Sequence, residues 1–322
     1  MVSLLEASHL AVTCPFQSGT HEIIHDVSFE VRHEETLVLL GESGSGKTVL
    51  SRALTDLFPA NVRMSIEGTV DFNGKSISFA DHNQVSQLRR SRIRYIFQEP
   101  QQALNPVARI RSQLRLASNG ASLDDHALEE VLATVGLVDD SSTTLREDGR
   151  EVLDLYPHQL SVGMAQRVTI AMAILPSPQL LIADEPTSAV DASLRFKLLD
   201  LLHSLQQSRR MSMILITHDL DVARMYGDRI IVLYNGRIIE SAARDEFFRQ
   251  PLHPYSRLLM EAQLQVGKKF EIENRGRLND EHAVTGCRFH PRCPKAQPNC
   301  TESEPPLERV EQEREVRCLY WK

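Results

Sequence analysis

Two segments of this chain place phosphate-binding and metal-binding groups where phosphoryl chemistry needs them. The first, Gly41-Glu42-Ser43-Gly44-Ser45-Gly46-Lys47-Thr48, fits G-x-x-x-x-G-K-[ST]. Glycines at positions 41, 44 and 46 let the backbone curl, so that successive N–H groups of residues 41–48 can point at a phosphate. Lys47 would reach the outer phosphates, and the Thr48 hydroxyl would face Mg²⁺. The second, Leu180-Leu181-Ile182-Ala183-Asp184-Glu185, is an apolar run that ends in two adjacent carboxylates. Asp184 would hold Mg²⁺, directly or through water, and Glu185 would polarise an attacking water as general base. A glycine-rich turn without a ligand and a pair of solvated acids are the blander alternatives, and each weakens in the presence of the other segment.

These groups need rigid elements behind them. An apolar strand is expected over Thr36-Leu37-Val38-Leu39-Leu40, directly before the glycine-rich loop, and a helix over Val49-Leu50-Ser51-Arg52-Ala53-Leu54 after it. The acid pair ends its own strand, and Met213-Ile214-Leu215-Ile216 leads as another strand into Thr217-His218-Asp219. Short strands at Leu4 to Val12 and Ile23 to Val31, with turn signals near Gly68 and Asn73-Gly74, predict a β-rich entry. Between about residues 100 and 162 the chain turns helical and more polar, with Leu128, Val131, Leu132 and Val135 at helical spacing. Asn235-Gly236 between Ile230-Ile231-Val232-Leu233 and Arg237-Ile238-Ile239-Glu240 predicts a tight hairpin that closes the core.

Between the two chemical segments lies Leu160-Ser161-Val162-Gly163-Met164-Ala165-Gln166-Arg167, at the head of a long helical pattern. Here the chain resembles the ATPase subunit of ABC transporters, whose signature reads Leu-Ser-Gly-Gly-Gln or Leu-Ser-Gly-Gly-Met and closes over the γ-phosphate held by the opposite subunit. The resemblance implies ATP as substrate, a P-loop NTPase α/β core with an antiparallel β subdomain and a helical subdomain, and contacts to the partner's nucleotide from Ser161 and Gly163. It also implies that Gln98 in Tyr95-Ile96-Phe97-Gln98-Glu99-Pro100 senses Mg²⁺ or the water, that Ser188-Ala189-Val190-Asp191 forms the D-loop, and that His218 donates to the γ-phosphate. Phe16 would stack on adenine, although a loop aromatic is as often simple packing. His218 paired with Asp219 at a strand end is the plainer alternative for that histidine.

One departure matters. Val162 stands where the family has its first signature glycine, and a β-branched residue does not readily take φ > 0 or allow close backbone approach to a phosphate. Because the signature serves the partner's nucleotide, the expectation is a heterodimer with two unequal sites, in which the productive one uses this chain's residues 41–48, Asp184 and Glu185.

Beyond residue 244 a second region follows. Pro251-Leu252-His253-Pro254-Tyr255-Ser256-Arg257-Leu258-Leu259 resembles the His-Pro-Tyr segment of ATPases in the oligopeptide, dipeptide and nickel importer branch, as does Leu104-Asn105-Pro106 after the Gln98 segment. That resemblance implies a second ATPase subunit, two transmembrane permease subunits and an extracytoplasmic solute-binding protein. It divides the chain into a nucleotide-binding domain over 1–244 and a C-terminal region over 245–322. Peptides, nickel and other solutes of the branch stay open as cargo, and a non-transport ABC ATPase or a binding module without turnover are the other function classes.

Four of the five cysteines, Cys287, Cys293, Cys300 and Cys318, fall in the last 36 residues. In a chain expected to be cytosolic, such clustering argues for metal over disulfides. Thiolate ligation suits a [4Fe-4S] cluster or tetrahedral Zn²⁺, the latter with His290 as a further ligand, and unmetallated thiols packing a small Cys-rich tail are the third possibility. Cys14 reads as an ordinary core residue.

Composition sets the outer bounds. The 322 residues suffice for one large α/β domain and a smaller appendage, and 42% hydrophobic content supports a sizeable core. A net charge of −7 offers no basic footprint for nucleic acid. Met1-Val2-Ser3-Leu4-Leu5-Glu6 lacks a secretory pattern, and no apolar run approaches the ~20 residues of a membrane span. The expected location is the cytoplasmic face of the membrane, reached through partners.

Overall fold

Two kinds of apolar pattern build two kinds of strand in this protein. The computed structural model describes residues 3–16, 19–59, 61–137, 149–264 and 285–322. In chain order these form β1 (Ser3–Phe16), β2 (Gly19–Arg32), β3 (Thr36–Leu40), α1 (Lys47–Ala53), β4 (Ser65–Phe72), β5 (Lys75–Ile77), α2 (His82–Ser91), β6 (Ile93–Ile96), α3 (Pro100–Ala103), α4 (Ile110–Ala117), α5 (Asp125–Thr134), α6 (Gly149–Asp154), α7 (Val162–Ile174), β7 (Leu180–Asp184), α8 (Ala192–Ser208), β8 (Ser212–Thr217), α9 (Leu220–Tyr226), β9 (Arg229–Tyr234), β10 (Arg237–Ala243), α10 (Arg244–Arg249), α11 (Pro254–Leu264), β11 (Glu308–Glu311) and β12 (Arg314–Val316). Every residue of β3, β7, β8 and β9 is buried, as befits strands covered on both faces. The C-terminal half of β2 alternates instead, with Val27, Phe29 and Val31 inward.

The chain divides into two compact units: residues 1–31, 35–77 and 216–322 in one, and 32–34 and 78–215 in the other. The first holds an antiparallel sheet in the order β2-β1-β4-β5, with Leu5 opposite Phe72 and Val12 opposite Ile66. It also holds the strand order β11-β12-β10-β9-β3. There β3 and β9 run parallel, Leu37 opposite Arg229, while β9 and β10 make the expected hairpin. Asn235 and Gly236 both have positive φ, 44° and 74°, the backbone of a two-residue turn whose twist matches its strands.

The cysteine-bearing residues are joined to the first unit. Residues 285–322 belong to the same unit as the glycine-rich loop, and β12 pairs with β10 through Glu240 opposite Val316. The region thus covers what would otherwise be an open edge of β10. Sequence periodicity could not show this, because β11 and β12 are short and mostly charged.

In the second unit the strand order is β8-β7-β6, with β6 and β7 parallel and Ile93 opposite Leu180. Helices α3, α4 and α5 pack on α7. Leu128 and Leu132 of α5 are buried, as their spacing predicts, with Val135 just beyond the helix. Among the described residues no helix is long and apolar enough to cross a membrane.

Candidate active site

In the first unit β3 runs straight into the glycine-rich loop of residues 41–48. Gly41 has φ 155°, and a Cβ there would stand 2.3 Å from the carbonyl oxygen of Leu233 in β9. The glycine therefore lets loop and strand touch. Gly44 is different: φ is 82° and the space around it is open, so the backbone conformation alone demands glycine. Gly46, at φ 104°, caps α1.

The loop is tied from inside. Lys47, 5% exposed, donates from Nζ to the carbonyl oxygens of Gly41 at 2.8 Å and Glu42 at 2.9 Å, and the Ser45 N–H donates to Glu42 O at 3.2 Å. Ser45 Oγ is buried without a hydrogen-bond partner. A buried hydroxyl in that state, beside a lysine folded back on its own loop, is the chemistry of a cradle shaped for an anion. The residues present fit a nucleotide phosphate. A depression of about 340 Å³ opens beside Ser43 and Gly44.

The loop is also tied from outside, by residues that motif reading did not find. The Glu42 N–H donates to Tyr255 Oη at 2.9 Å, and the Glu42 carboxylate accepts two 2.9 Å hydrogen bonds from the Arg292 guanidinium. Tyr255 follows the His-Pro pair at the start of α11. That segment is itself pinned by Glu240, fully buried, whose carboxylate accepts from the N–H groups of Leu252 and His253 at 2.8 and 2.9 Å. Arg314 lies 3.4 Å from the same carboxylate.

In the second unit β7 delivers the acid pair. Asp184 is 1% exposed and accepts a 2.8 Å hydrogen bond at Oδ2 from the Tyr95 hydroxyl, another residue whose role the sequence reading missed. A buried strand-end carboxylate suits a cation, so its setting fits Mg²⁺. Glu185 turns out of the strand at φ 43°, a left-handed backbone that costs a non-glycine residue about 1–3 kcal/mol and is concentrated at functional sites. Its Oε2 stands 3.3 Å from Gln98 Nε2, and Ser188 Oγ donates to Gln98 O at 3.4 Å. Gln98, Glu185 and the first residue of the Ser188-Ala189-Val190-Asp191 segment are therefore brought together.

Ser161 caps α7, its hydroxyl accepting from Met164 N–H at 3.2 Å, with Gly163 in the first turn. Val162 opens that helix with right-handed backbone, so the sequence-based concern over positive φ does not apply to it. What distinguishes it is bulk, an isopropyl group that is 37% exposed. His218 is exposed just after β8, while Asp219 caps α9 by accepting from Asp221 and Val222 N–H. Phe16 ends β1, and its side chain lies outside the described residues.

The four clustered cysteines line one pocket together with His290 and His253. Burial pushes the Cys287 thiol up to about 11 and raises those of Cys293 and Cys318. His290 Nδ1 lies 2.7 Å from the Cys287 carbonyl oxygen. Donor chemistry suits a soft metal, but the pocket is about 20 Å³, little more than one water. Among the described residues no group of three or more histidine, cysteine or acidic side chains stands ready to hold a metal ion. The four sulfurs expected as ligands thus share one pocket. Cys14, read as core, is half-buried.

Known proteins resemble this chain in sequence and in fold. Residues 24–188 match the ABC transporter family, and residues 239–300 match the oligopeptide/dipeptide transporter C-terminal region. The chain is 37% identical over 313 residues to the oligopeptide transport ATP-binding protein OppD of Escherichia coli, covering 95% of this chain and 90% of that one. It is 33% identical over 326 residues to the oligopeptide transport ATP-binding protein AppD of Bacillus subtilis, covering 100% and 98%. Among solved structures, a dimeric ATP-binding cassette bound to ADP and phosphate superposes with a TM-score of 0.63 at 24% identity, over 74% of this chain and 98% of that one.

Proposed function

Since the chain belongs to the ABC transporter ATPase family and carries that family's oligopeptide/dipeptide transporter C-terminal region, we propose that it binds and hydrolyses ATP to energise an importer of peptides or related small solutes. The observation that carries this reading is the presence of both regions in one chain that aligns nearly end to end with oligopeptide transport ATP-binding proteins.

In this reading residues 41–48 hold the nucleotide phosphates, with Lys47 neutralising their charge and Thr48 and Asp184 holding Mg²⁺. The metal supplies charge neutralisation at the transferring phosphoryl group. Glu185 takes the proton of the attacking water, Gln98 orients that water or the metal, and His218 donates to the γ-phosphate. The 3.3 Å approach of Gln98 to Glu185 and the buried setting of Asp184 support these roles. Phe16 is assigned to adenine stacking by resemblance alone.

The working assembly pairs this nucleotide-binding domain, residues 1–244, and its C-terminal region, residues 245–322, with a second ATPase subunit. Two permease subunits and an extracytoplasmic binding protein complete it, at the cytoplasmic face of the membrane. We assign the pair as a heterodimer because the Val162 side chain crowds the helix start that would face the partner's phosphate, while Ser161 and Gly163 keep the family's residues. For the thiol pocket we assign a [4Fe-4S] cluster, with Zn²⁺ as the alternative. Support lies in the thiol-rich lining, and closure of the sulfurs would then be coupled to loading.

The test is the ATPase rate of the purified transporter carrying Glu185→Gln, beside the same change in the partner subunit, with iron and sulfide quantified in parallel. Loss of turnover with the change in this chain alone supports unequal sites. Loss with either change makes the sites coupled and equal, and loss with neither overturns the ATPase reading. Absence of both iron and sulfide overturns the cluster.

A further inference from the structure

The C-terminal region reaches into the phosphate loop through one residue, Glu42. Its N–H is taken by Tyr255 Oη, its carbonyl by Lys47 Nζ and Ser45 N–H, and its carboxylate by both arms of the Arg292 guanidinium. Arg292 is 11% exposed at its side chain and Glu42 25%. Around the guanidinium stand Tyr234, whose hydroxyl is 3.4 Å from Nη1, and Phe289, which packs edge-on against Tyr234 and Tyr255. A bidentate pair in a half-buried aromatic frame fixes orientation as well as charge.

Glu42 is an awkward residue for its place. It puts a carboxylate one residue past the first glycine of a loop that must receive a polyanion. Left unpaired, that charge would oppose a nucleotide's phosphates, and its side chain would be free to draw the loop toward solvent. Arg292 removes both difficulties by pairing with the carboxylate through both arms of its guanidinium.

We propose that Arg292, with Tyr255, is a positioning residue for nucleotide binding: the C-terminal region holds the phosphate loop in its receptive shape and cancels the Glu42 charge beside it. This rests on the reading of residues 41–48 as the ATP site. Affinity for ATP thereby becomes a property of the region beyond residue 244.

The experiment measures the dissociation constant of Mg²⁺-ATP for the full-length chain, with turnover of the assembled transporter in parallel. Arg292→Met is expected to weaken binding about tenfold, since it strands a half-buried carboxylate beside the phosphates. It should raise KM for ATP while leaving kcat within about twofold, the mark of lost ground-state binding. Adding Glu42→Gln to Arg292→Met should recover most of the lost affinity, which a general packing role for Arg292 would not permit. Arg292→Lys keeps the charge without the two-pronged geometry and should fall between. Wild-type affinity in Arg292→Met, or no recovery in the double variant, overturns the proposal. Should Arg292→Met fail to fold, Arg292→Lys with and without Glu42→Gln decides by the same rescue. Lys47→Ala separates the two readings: if it leaves ATP binding unchanged, the ATP site itself is misassigned, whereas lost binding there with no effect at Arg292 refutes the clasp alone.

Discussion

The hydroxyl of Tyr95 donates a 2.8 Å hydrogen bond to Oδ2 of Asp184. Tyr95 lies on β6 and Asp184 at the end of β7, parallel neighbours in which Tyr95 stands opposite Ile182. The bond leaves one carboxylate oxygen directed by a fixed donor, so the other can be presented to a cation in a set orientation.

Replacing Tyr95 by Phe removes that donor and keeps the ring, which packs 4.7 Å from Phe97. The Mg²⁺ concentration for half-maximal ATPase is expected to rise about tenfold, with turnover at saturating Mg²⁺ largely kept. A Mg²⁺ titration of the assembled transporter checks this, and an unchanged titration would remove Tyr95 from the metal's surroundings.

Glu185→Gln keeps the side chain's shape and its contact distance to Gln98 but removes the base. Turnover should fall by about a hundred- to ten-thousand-fold while ATP is still bound. Single-turnover hydrolysis and nucleotide binding, measured on one preparation, separate these outcomes.

The glycines of the loop should not be equivalent. Gly44→Ala meets open space and bears only the left-handed backbone, a cost of about 1–2 kcal/mol. Gly41→Ala would drive a methyl into the Leu233 carbonyl and displace the loop from β9. Thermal unfolding should therefore show a modest loss for the first and a large one for the second.

A pH dependence follows from His25. Its side chain, 9% exposed, faces Glu22 at 3.0 Å and Arg288 at 3.0 and 3.2 Å, with Arg237 nearby. Burial first, and then the Arg288 charge, lower its pKa to about 4, against a partial pull upward from Glu22. Between the ordinary value of 6.5 and about 4 the unfolded chain takes up a proton that the folded chain refuses. Stability from this group is complete above pH 6.5 and is lost as pH falls toward 4. Urea unfolding at pH 7.5 and 5.0 should show a smaller drop for His25→Asn than for the natural chain.

Much of the site was legible because its chemistry is local. Residues 41–48 need glycine at fixed places, and the run into Asp184 and Glu185 announces a buried strand with charge at its tip. The Asn235-Gly236 hairpin was equally plain, since two positive φ values in a row leave few residue types to choose from. Each of these signals is written within ten residues.

The remainder depends on long-range meetings. Arg292 and Glu42 are separated by 250 positions, and Tyr255 and Glu42 by 213. An arginine beside a cysteine carries no mark that it will pair with Glu42 in a distant glycine-rich loop, and β11 and β12 are too short and too charged to register as strands. The same holds for the cysteines: their clustering predicts a common site, but whether four sulfurs converge on one point is a matter of three-dimensional closure. The amino-acid order alone determined the family, the glycine-rich turn, the acid pair at its strand end and the core strands, because backbone conformation and burial there are dictated by neighbours in the chain. Tertiary structure decided that the C-terminal region shares a unit with the loop and orders Glu42, because such a contact arises only when distant segments pack together.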